Sequence, residues 1–352
     1  MKIKCFFVFF LFTAAAFALE SESDFDINGY INGIFDNLEN KYSQEESGTI
    51  YGTNSSLTFG YLPDTNSAVF VGINYSQKFG DDNKADFSPL LAYKFENETN
   101  NFIFGTEHRL TIINYHDYVL SRRWQYENPI FQGTYFSQDF EFVKWAIWAD
   151  WTGLKSKDVR EEFIHGHNFS YILKFAERNS IDFGWQFIYN HIASRDREFY
   201  NDSVEDIGAL VANIIYCLDG FVHPKFHAIK TGVRGMLTYD RQRDKSDDYD
   251  TAFGIEGFAG VELGIFELSY SQYFKIYRNA PYEYNLKTSD DRFLEDFGQA
   301  DINVCFLDNK YAKISFTLSF IATDSGVNHR QTMQVVAPNR AHEIKKYKRY
   351  DE

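Results

Sequence analysis

Long apolar runs, cysteine and proline are scarce in this sequence of 352 residues. After Leu19 no uncharged apolar stretch approaches the roughly 18 residues that a membrane-spanning helix needs, so a helical membrane protein is excluded. Only Cys217 and Cys305 follow residue 19, which argues against a disulfide-rich secreted domain. We expect both to be unpaired strand residues, and a single bridge between them is the alternative.

Basic residues are also in deficit. The chain has 35 Lys and Arg against 50 Asp and Glu, and two of the lysines, Lys2 and Lys4, lie in the amino-terminal segment. Nucleic acid binding needs clustered positive charge. The sequence therefore predicts no nucleic acid partner.

The first residues predict export. Lys2 and Lys4 precede an uncharged stretch from Cys5 to Leu19, and Ala16-Phe17-Ala18 forms a small-x-small cleavage site. No cysteine stands at the cleavage point to accept lipid. We predict a cleaved signal peptide over residues 1–18 and a mature chain that begins at Leu19.

Aromatic residues are abundant, and they recur with a period of two. Phe and Tyr number 36 and 24, and in "SIDFGWQFIYNH" (180–191) alternate positions from Ile181 to Tyr189 form an almost entirely aromatic row. The same alternation recurs in "FEFVKWAIWADW" (140–151) and in "YAKISFTLSF" (311–320). This period is the pattern of a half-exposed β-strand. For residues 203–220 we favour a strand over a short helix, because several of their apolar residues are β-branched.

Two kinds of connection separate these strands. Segments such as "YLPDTNSA" (61–68) and "LDNK" (307–310) are typical of tight turns, whereas "DRQRDKSDDYD" (240–250) and others are long and acidic. Short turns at one end and long polar loops at the other are typical of a bacterial outer-membrane barrel. We predict an all-β fold, a closed antiparallel transmembrane β-barrel of about 16 strands, with 14 as the alternative count. A soluble β-sandwich is the competing interpretation.

The predicted barrel covers residues 19–321, and residues 322–352 form either the last strand or a carboxyl-terminal tail. In lipid a closed barrel points apolar side chains outward and polar ones inward. The ions on the inward rows are then expected to line an aqueous pore or, alternatively, to pair with one another and plug it. The predicted pore-lining residues are Glu107, Arg109, Lys144, Asp150, Lys174, Asp182, Lys230, Arg234, Glu256, Glu262 and Asp301.

With its cleavable signal and its amphipathic strands, the chain resembles outer-membrane porin-like proteins. "YAKISFTLSF" resembles the closing strand of that family, although here the chain continues for another 32 residues. The resemblance implies a location in the bacterial outer membrane, the lipid bilayer and small hydrophilic solutes as partners, and passive diffusion as the function. Whether the protein forms a homo-oligomer is left open.

Other functions have weaker support in the sequence. A barrel that binds or exports a saccharide is the first alternative, with Tyr30, Trp148, Tyr273 and Tyr277 as inward stacking surfaces. A lipid hydrolase on the barrel surface is the second, but no nucleophile motif supports it, so we expect no enzyme activity and no cofactor. His165 and His167 form an H-x-H pair, yet they share a side with the lipid-facing Phe169, so we predict no metal site.

Overall fold

The computed structural model describes residues 25–39, 48–80, 85–154, 156, 160–193, 204–220, 226–243, 248–278, 296–309 and 312–337. The predicted signal peptide lies outside these residues. Neither helix in the described part of the chain is long and apolar enough to span a bilayer.

Sixteen antiparallel strands form one closed barrel, as predicted. Each strand pairs with its neighbours in sequence, and the last strand pairs with the first. The strands are β1 (Phe25–Glu39), β2 (Gly48–Tyr61), β3 (Ser67–Lys78), β4 (Asp86–Glu96), β5 (Asn100–His108), β6 (Ile130–Asp139), β7 (Val143–Gly153), β8 (Glu162–Ala176), β9 (Asn179–Ile192), β10 (Glu205–Asp219), β11 (Phe226–Gln242), β12 (Asp250–Leu263), β13 (Phe266–Arg278), β14 (Phe297–Asp308), β15 (Lys313–Thr323) and β16 (Gly326–Ala337).

The two ends of the barrel differ in their connections. At the end that holds both chain termini, the strands are joined by residues 62–66, 97–99, 140–142, 177–178, 220–225, 264–265 and 309–312. At the other end seven of the eight connections are longer, and the two-residue link 324–325 is the exception. In outer-membrane barrels short turns face the periplasm and long loops face the outside. We call the two ends the short-turn end and the long-loop rim.

The aromatic row of β9 faces outward. Phe183 and Trp185 are exposed, and Phe187 and Tyr189 are half-exposed, whereas Ile188 on the opposite side of the strand is buried. The outward surface of neighbouring strands is also apolar, as the exposed Ile147, Ile214 and Val233 show. This arrangement is the inverse of a soluble sheet and suits a barrel that is surrounded by lipid.

Residues 109–129, between β5 and β6, pack inside the barrel. They contain two short helices, α1 (Arg109–Ile112) and α2 (Arg122–Glu127), and we call them the inserted segment. Ile113, Tyr115, Tyr118, Val119 and Leu120 share one buried apolar cluster with inward side chains of the wall. The wall residues of the cluster are Phe131, Trp148, Ile164, Ile188, Ala209, Val211, Met236, Tyr273, Phe297 and Ile321.

The expectation that polar side chains point inward is therefore wrong for this part of the interior, which lies on the side of the long-loop rim. The wall residues of the cluster extend from the strand ends at that rim, as Phe131 and Phe297 show, to the middle of the strands, as Trp148 shows. They face inward because they cover the apolar side of the inserted segment. Complete burial of Val119 and Leu120 means that water is excluded from this part of the interior.

Gly105 marks the place where β5 leaves β4. Its φ of +120° is unfavourable for other residues, and a Cβ atom there would lie 2.1 Å from the carbonyl oxygen of Leu91. Regular pairing with β4 ends at this residue. Instead, the Thr106 hydroxyl accepts a hydrogen bond from the Leu91 backbone amide and donates one to the Leu91 carbonyl oxygen. The chain is thereby freed to enter the lumen four residues later.

The structure also answers three questions about residues 203–220, residues 322–352 and the two cysteines. Residues 203–220 contain the strand β10, not a helix. Of the two alternatives for residues 322–352, the structure shows a strand at 326–337, so the barrel extends beyond residue 321. Cys217 and Cys305 are both unpaired.

Candidate functional site

An ionisable cluster lies on the outward face of β9, β10 and β11 at the long-loop rim. Its centre is Asp206, whose side chain is completely buried. Oδ1 accepts hydrogen bonds from the Tyr189 hydroxyl at 2.5 Å, from Nδ1 of His191 at 2.9 Å and from Arg243 at 3.1 Å. Oδ2 accepts from Arg241 at 2.9 Å and from Nε of Arg243 at 2.7 Å. We call these five residues the rim cluster.

Strand register brings the cluster together. Asp206 lies directly opposite His191 on β9 and opposite Arg241 on β11, so the three side chains share the outward face. One pair further from the rim, Gly208 lies opposite both Tyr189 and Tyr239. A Cβ atom on Gly208 would lie 2.1 Å from the Tyr239 ring, so glycine allows that ring to cover the strand.

The rim cluster lies at the upper edge of an apolar surface. The next outward pairs contain Phe187 with Leu210, and then Trp185 with Ala212. Successive outward residues are about 6.7 Å apart along a strand, so Trp185 lies roughly 20 Å from His191 along β9. With a strand tilt of about 40°, the height difference is roughly 15 Å, slightly more than half of an apolar band about 25 Å tall. The cluster therefore lies at the upper edge of a band of this height centred on Trp185, the level at which headgroups meet acyl chains in outer-membrane barrels.

The hydrogen bonds assign a role to each group. An ionised carboxylate only accepts, so Nδ1 of His191 must donate to Asp206, and Nε2 of the neutral ring is then an acceptor. The Phe163 ring flanks this imidazole, with 5.1 Å between the ring centroids. The side chains of Arg241 and Arg243 are 24% and 46% exposed, so both can also bind an external anion. A histidine oriented by a carboxylate is an arrangement suited to general base catalysis.

Two outward histidines on β8 are arranged differently. His165 and His167 lie on β8 facing β9, and Nδ1 of His167 accepts a hydrogen bond from the Trp185 indole at 2.9 Å. Among the described residues, no group of three or more His, Cys, Asp or Glu side chains could hold a metal ion.

Two cavities lie between the inserted segment and the short-turn end. The larger one, about 850 Å³, extends from the turn residues Asn66 and Asn309 to Gln125 and Tyr126 of α2. The smaller one, about 450 Å³, lies against His116 of the inserted segment and against the wall of β11 to β16. Both are lined by polar and charged side chains.

Most of the predicted pore-lining ions face the interior, and many of them are paired. Lys230 contacts Glu262 at 2.5 Å, and Arg234 contacts Glu256 at 2.6 Å. Glu107 pairs with Lys94. Asp182 accepts a hydrogen bond from Ser170, and Asp301 accepts one from Gln299. At the short-turn end Lys144 pairs with Asp139, and Lys174 lies over the Phe142 ring.

The prediction that Arg109 and Asp150 line an aqueous pore is wrong. Arg109 belongs to α1, and the two side chains form an ion pair with exposed fractions of 1% and 0%. Arg109 also donates to the carbonyl oxygens of Asn128 and Ile130 at 2.8 Å each. The pair is buried because the inserted segment covers it, and it fastens the two ends of that segment to the wall.

The predicted saccharide-stacking residues are not all available. The Trp148 indole is buried and donates to the Tyr115 hydroxyl at 3.0 Å, and Tyr273 is buried against Phe297. Tyr277 is exposed on the outward side, because an irregularity between β12 and β13 shifts the register before this residue. Only Tyr30 borders the larger cavity.

Comparison with known proteins identifies the family of the chain. Residues 17–278 match the model of a family described as lipid A 3'-O-deacylase-type, which is about three quarters of the chain. The chain belongs to the lipid A 3'-O-deacylase-type family. The matched residues include the whole rim cluster and end with β13. No curated protein sequence matches the chain.

Solved structures with a similar fold are outer-membrane proteins. The loop L8 deletion mutant of OmpT from Vibrio cholerae has a TM-score of 0.52 at 8% identity, and the alignment covers 89% of this chain and 98% of that one. The anion-selective porin from Comamonas acidovorans has a TM-score of 0.51 at 9% identity, with coverages of 90% and 99%. The resemblance to porins thus holds at the level of the fold, which resembles that of bacterial outer-membrane proteins.

The expectation that the protein is not an enzyme is wrong, because the family is that of a deacylase-type enzyme. The sequence interpretation did not connect His191 with Asp206, which lies 15 residues away across a long connection. One signal was present: His191 shares its side of the strand with Trp185 and Tyr189, and an ionisable group on a lipid-facing row indicates a functional site.

Proposed function

We propose that this member of the lipid A 3'-O-deacylase-type family hydrolyses an acyl ester of a lipid A-type glycolipid at the rim cluster. The observation that carries the proposal is the outward His191–Asp206 pair at the upper edge of the apolar surface. Lipids of the outer leaflet reach such a site without leaving the membrane. We further propose that the protein resides in the bacterial outer membrane after export, with the long-loop rim outside.

The geometry suits hydrolysis by an activated water molecule. Nε2 of His191 accepts a proton from water while the water oxygen attacks the ester carbonyl carbon, and Asp206 stabilises the imidazolium that forms. When the ester C–O bond breaks, His191 returns the proton to the leaving alkoxide oxygen. The products are a free fatty acid and a glycolipid hydroxyl group.

Arg241 and Arg243 supply the positive charge that this substrate requires. Lipid A carries phosphate groups, and arginine binds phosphate through paired, charge-assisted hydrogen bonds. An acyl chain can follow the apolar surface below His191, past Phe187 and Leu210, while the headgroup stays at the rim. Such positioning holds the scissile ester near Nε2.

The test uses purified protein in mixed micelles with lipid A, and mass spectrometry measures acyl chain loss. His191→Ala should lower the rate at least about 100-fold, since a general base typically contributes 10² to 10⁴. Asp206→Asn should lower it at least about tenfold, because the imidazole loses its orientation.

The matched control is His329→Ala. His329 also faces outward at the long-loop rim, but it lies on the far side of the barrel and contacts Glu39 at 3.3 Å. This variant should keep the wild-type rate. A wild-type protein that releases no acyl chain, or a His191→Ala variant within twofold of wild type, contradicts the proposal.

The lumen supports a second candidate function, the passage of small hydrophilic solutes. The supporting observation is the pair of polar cavities at the short-turn end. Passage then requires the inserted segment to move away from its apolar cluster. Planar-bilayer recordings test this function: discrete conductance steps support it, and a silent bilayer that contains folded barrels contradicts it.

A further inference from the structure

The larger cavity holds an unusual concentration of polar atoms without partners. Asn28 Oδ1, His108 Nδ1, Gln125 Oε1 and the Tyr126 hydroxyl are all buried and have no hydrogen-bond partner. All four residues border this cavity, and each residue is at most 9% exposed. An unpaired buried polar group costs about 1 to 3 kcal/mol, so four around one cavity indicate a site for a polar occupant.

These groups are held in place by their other contacts. The His108 ring stacks on Tyr30 with 3.7 Å between ring centroids, and its Nε2 lies 2.7 Å from the Ser56 hydroxyl. Gln125 donates through its amide nitrogen to the Leu120 carbonyl oxygen at 3.2 Å. The His108 imidazole and the Gln125 amide are thereby held in fixed orientations, and each keeps one unpaired polar atom beside the cavity. Preorganised polar groups of this kind provide ligand specificity.

The charges around the cavity balance. Lys94, Arg122 and Lys313 are the basic lining residues, and Glu96, Glu107 and Asp308 are the acidic ones. Lys94 pairs with Glu107, and Lys313 lies 3.4 Å from Asp308. Burial raises the pKa of Tyr126 to about 12, so its phenol stays neutral at physiological pH. The site lacks the net charge that an anionic or cationic ligand would select.

From these observations we infer that the larger cavity is a binding site for a neutral polyhydroxylated solute, of the size of a small saccharide, that enters from the short-turn end. Amide, imidazole, hydroxyl and phenol groups match the donors and acceptors of sugar hydroxyls. Its volume of about 850 Å³ is within the usual range for ligand pockets. The turn residues Asn66 and Asn309 place the entrance on the periplasmic side.

This site is separate from the rim cluster. It lies inside the barrel and is bounded by the inserted segment, whereas His191 and Asp206 face outward. The inference does not depend on ester hydrolysis. A loss of sugar binding with an intact deacylation rate, or the reverse, tells the two apart.

Equilibrium dialysis of the folded barrel against radiolabelled maltose tests the inference. Saturable binding is expected, with an affinity at least tenfold lower in His108→Phe, which keeps the aromatic stack on Tyr30, and in Gln125→Leu. Gln299→Leu is the matched control, because Gln299 lines the smaller cavity; it should bind maltose like the wild type. Heat-dependent gel mobility confirms that each variant is folded.

A second ligand tests the charge argument. Glucose 6-phosphate should bind at least tenfold more weakly than glucose. The charges of the lining residues balance, so no net positive charge offsets the loss of water from the phosphate. Preference for the phosphorylated sugar overturns the inference of a neutral ligand. The absence of saturable binding of either neutral sugar, or equal loss in Gln299→Leu and Gln125→Leu, overturns the site itself.

Discussion

Asp150→Ala should release the inserted segment from the barrel wall. In the wild type the Arg109–Asp150 pair is almost completely buried. Oδ1 of Asp150 also accepts a hydrogen bond from the backbone N–H of Gln132 at 2.7 Å. The variant leaves the Arg109 guanidinium buried without a counterion. Removing one partner of a buried ion pair typically costs about 3 to 5 kcal/mol.

This cost should act on the segment rather than on the whole barrel. Asp150 contributes one side-chain hydrogen bond to the sixteen paired strands, whereas Arg109 holds the carbonyl oxygens of Asn128 and Ile130 at the end of the segment. At 1.4 kcal/mol per factor of ten, 3 to 5 kcal/mol raises the open population by roughly two to three and a half orders of magnitude. Local opening becomes the lowest-energy route to relieve the buried charge.

Limited proteolysis of the folded barrel measures this opening. Trypsin should cleave at Arg122 or Arg123 in α2 at least about 100 times faster in Asp150→Ala, since cleavage follows the open population. Asp139→Asn is the control, because the Asp139–Lys144 pair is 61% and 49% exposed and such pairs contribute at most about 1 kcal/mol. The reasoning is refuted if the two variants are cleaved at similar rates while both barrels remain folded.

Three further predictions concern the barrel. Trp185→Arg should impair assembly, because a cation on the lipid-facing side near the midplane costs about 2 to 4 kcal/mol. The inward Asp182→Lys should assemble, and the heat-resistant folded band on a gel measures both yields. Equal yields would contradict the assignment of Trp185 to the outer and Asp182 to the inner side of the barrel. Truncation after Thr323 should prevent a heat-resistant barrel, because β1 and β15 lose their shared neighbour β16, and truncation after Ala337 should not. Cys217 and Cys305 should both react with maleimide after unfolding without reductant, and a mature chain that takes up no label would indicate a disulfide.

Strand number and facing could be predicted from the sequence because both depend on a local pattern. The period of two in 180–191 assigns Trp185 and Ile188 to opposite sides whatever the neighbouring strand contains. Turn positions are local as well, so "YLPDTNSA" and "LDNK" could be placed at strand ends. The shift that turns Tyr277 outward could not be predicted, since it arises from the pairing of β12 with β13.

The inserted segment could not be predicted for a different reason. Apolar residues such as Ile164 and Met236 look the same in sequence whether lipid or a folded segment covers them. The alternation along each strand predicts that they point inward, but their burial in one cluster with Val119 and Leu120 depends on a segment that has no period of two. Arg109 lies two residues after Glu107 and is interpreted from the sequence as a residue of the same strand. Only the turn into α1 shows that Arg109 belongs to the inserted segment.

Charged side chains on the inner side of this barrel have a structural explanation, whereas those on its outer side indicate a functional site. Inward ions such as Lys230 and Glu262 compensate each other across neighbouring strands, as any wide polar interior requires. The rim cluster has no such explanation, because Asp206, His191 and Arg241 lie on the outward side, where apolar side chains would be the most stable. Five hydrogen bonds hold the one carboxylate of Asp206 there. A chain that needed only a stable wall would gain from apolar residues at these positions. Retaining the ions is consistent with a reaction at the lipid boundary, where the oriented imidazole of His191 would be used.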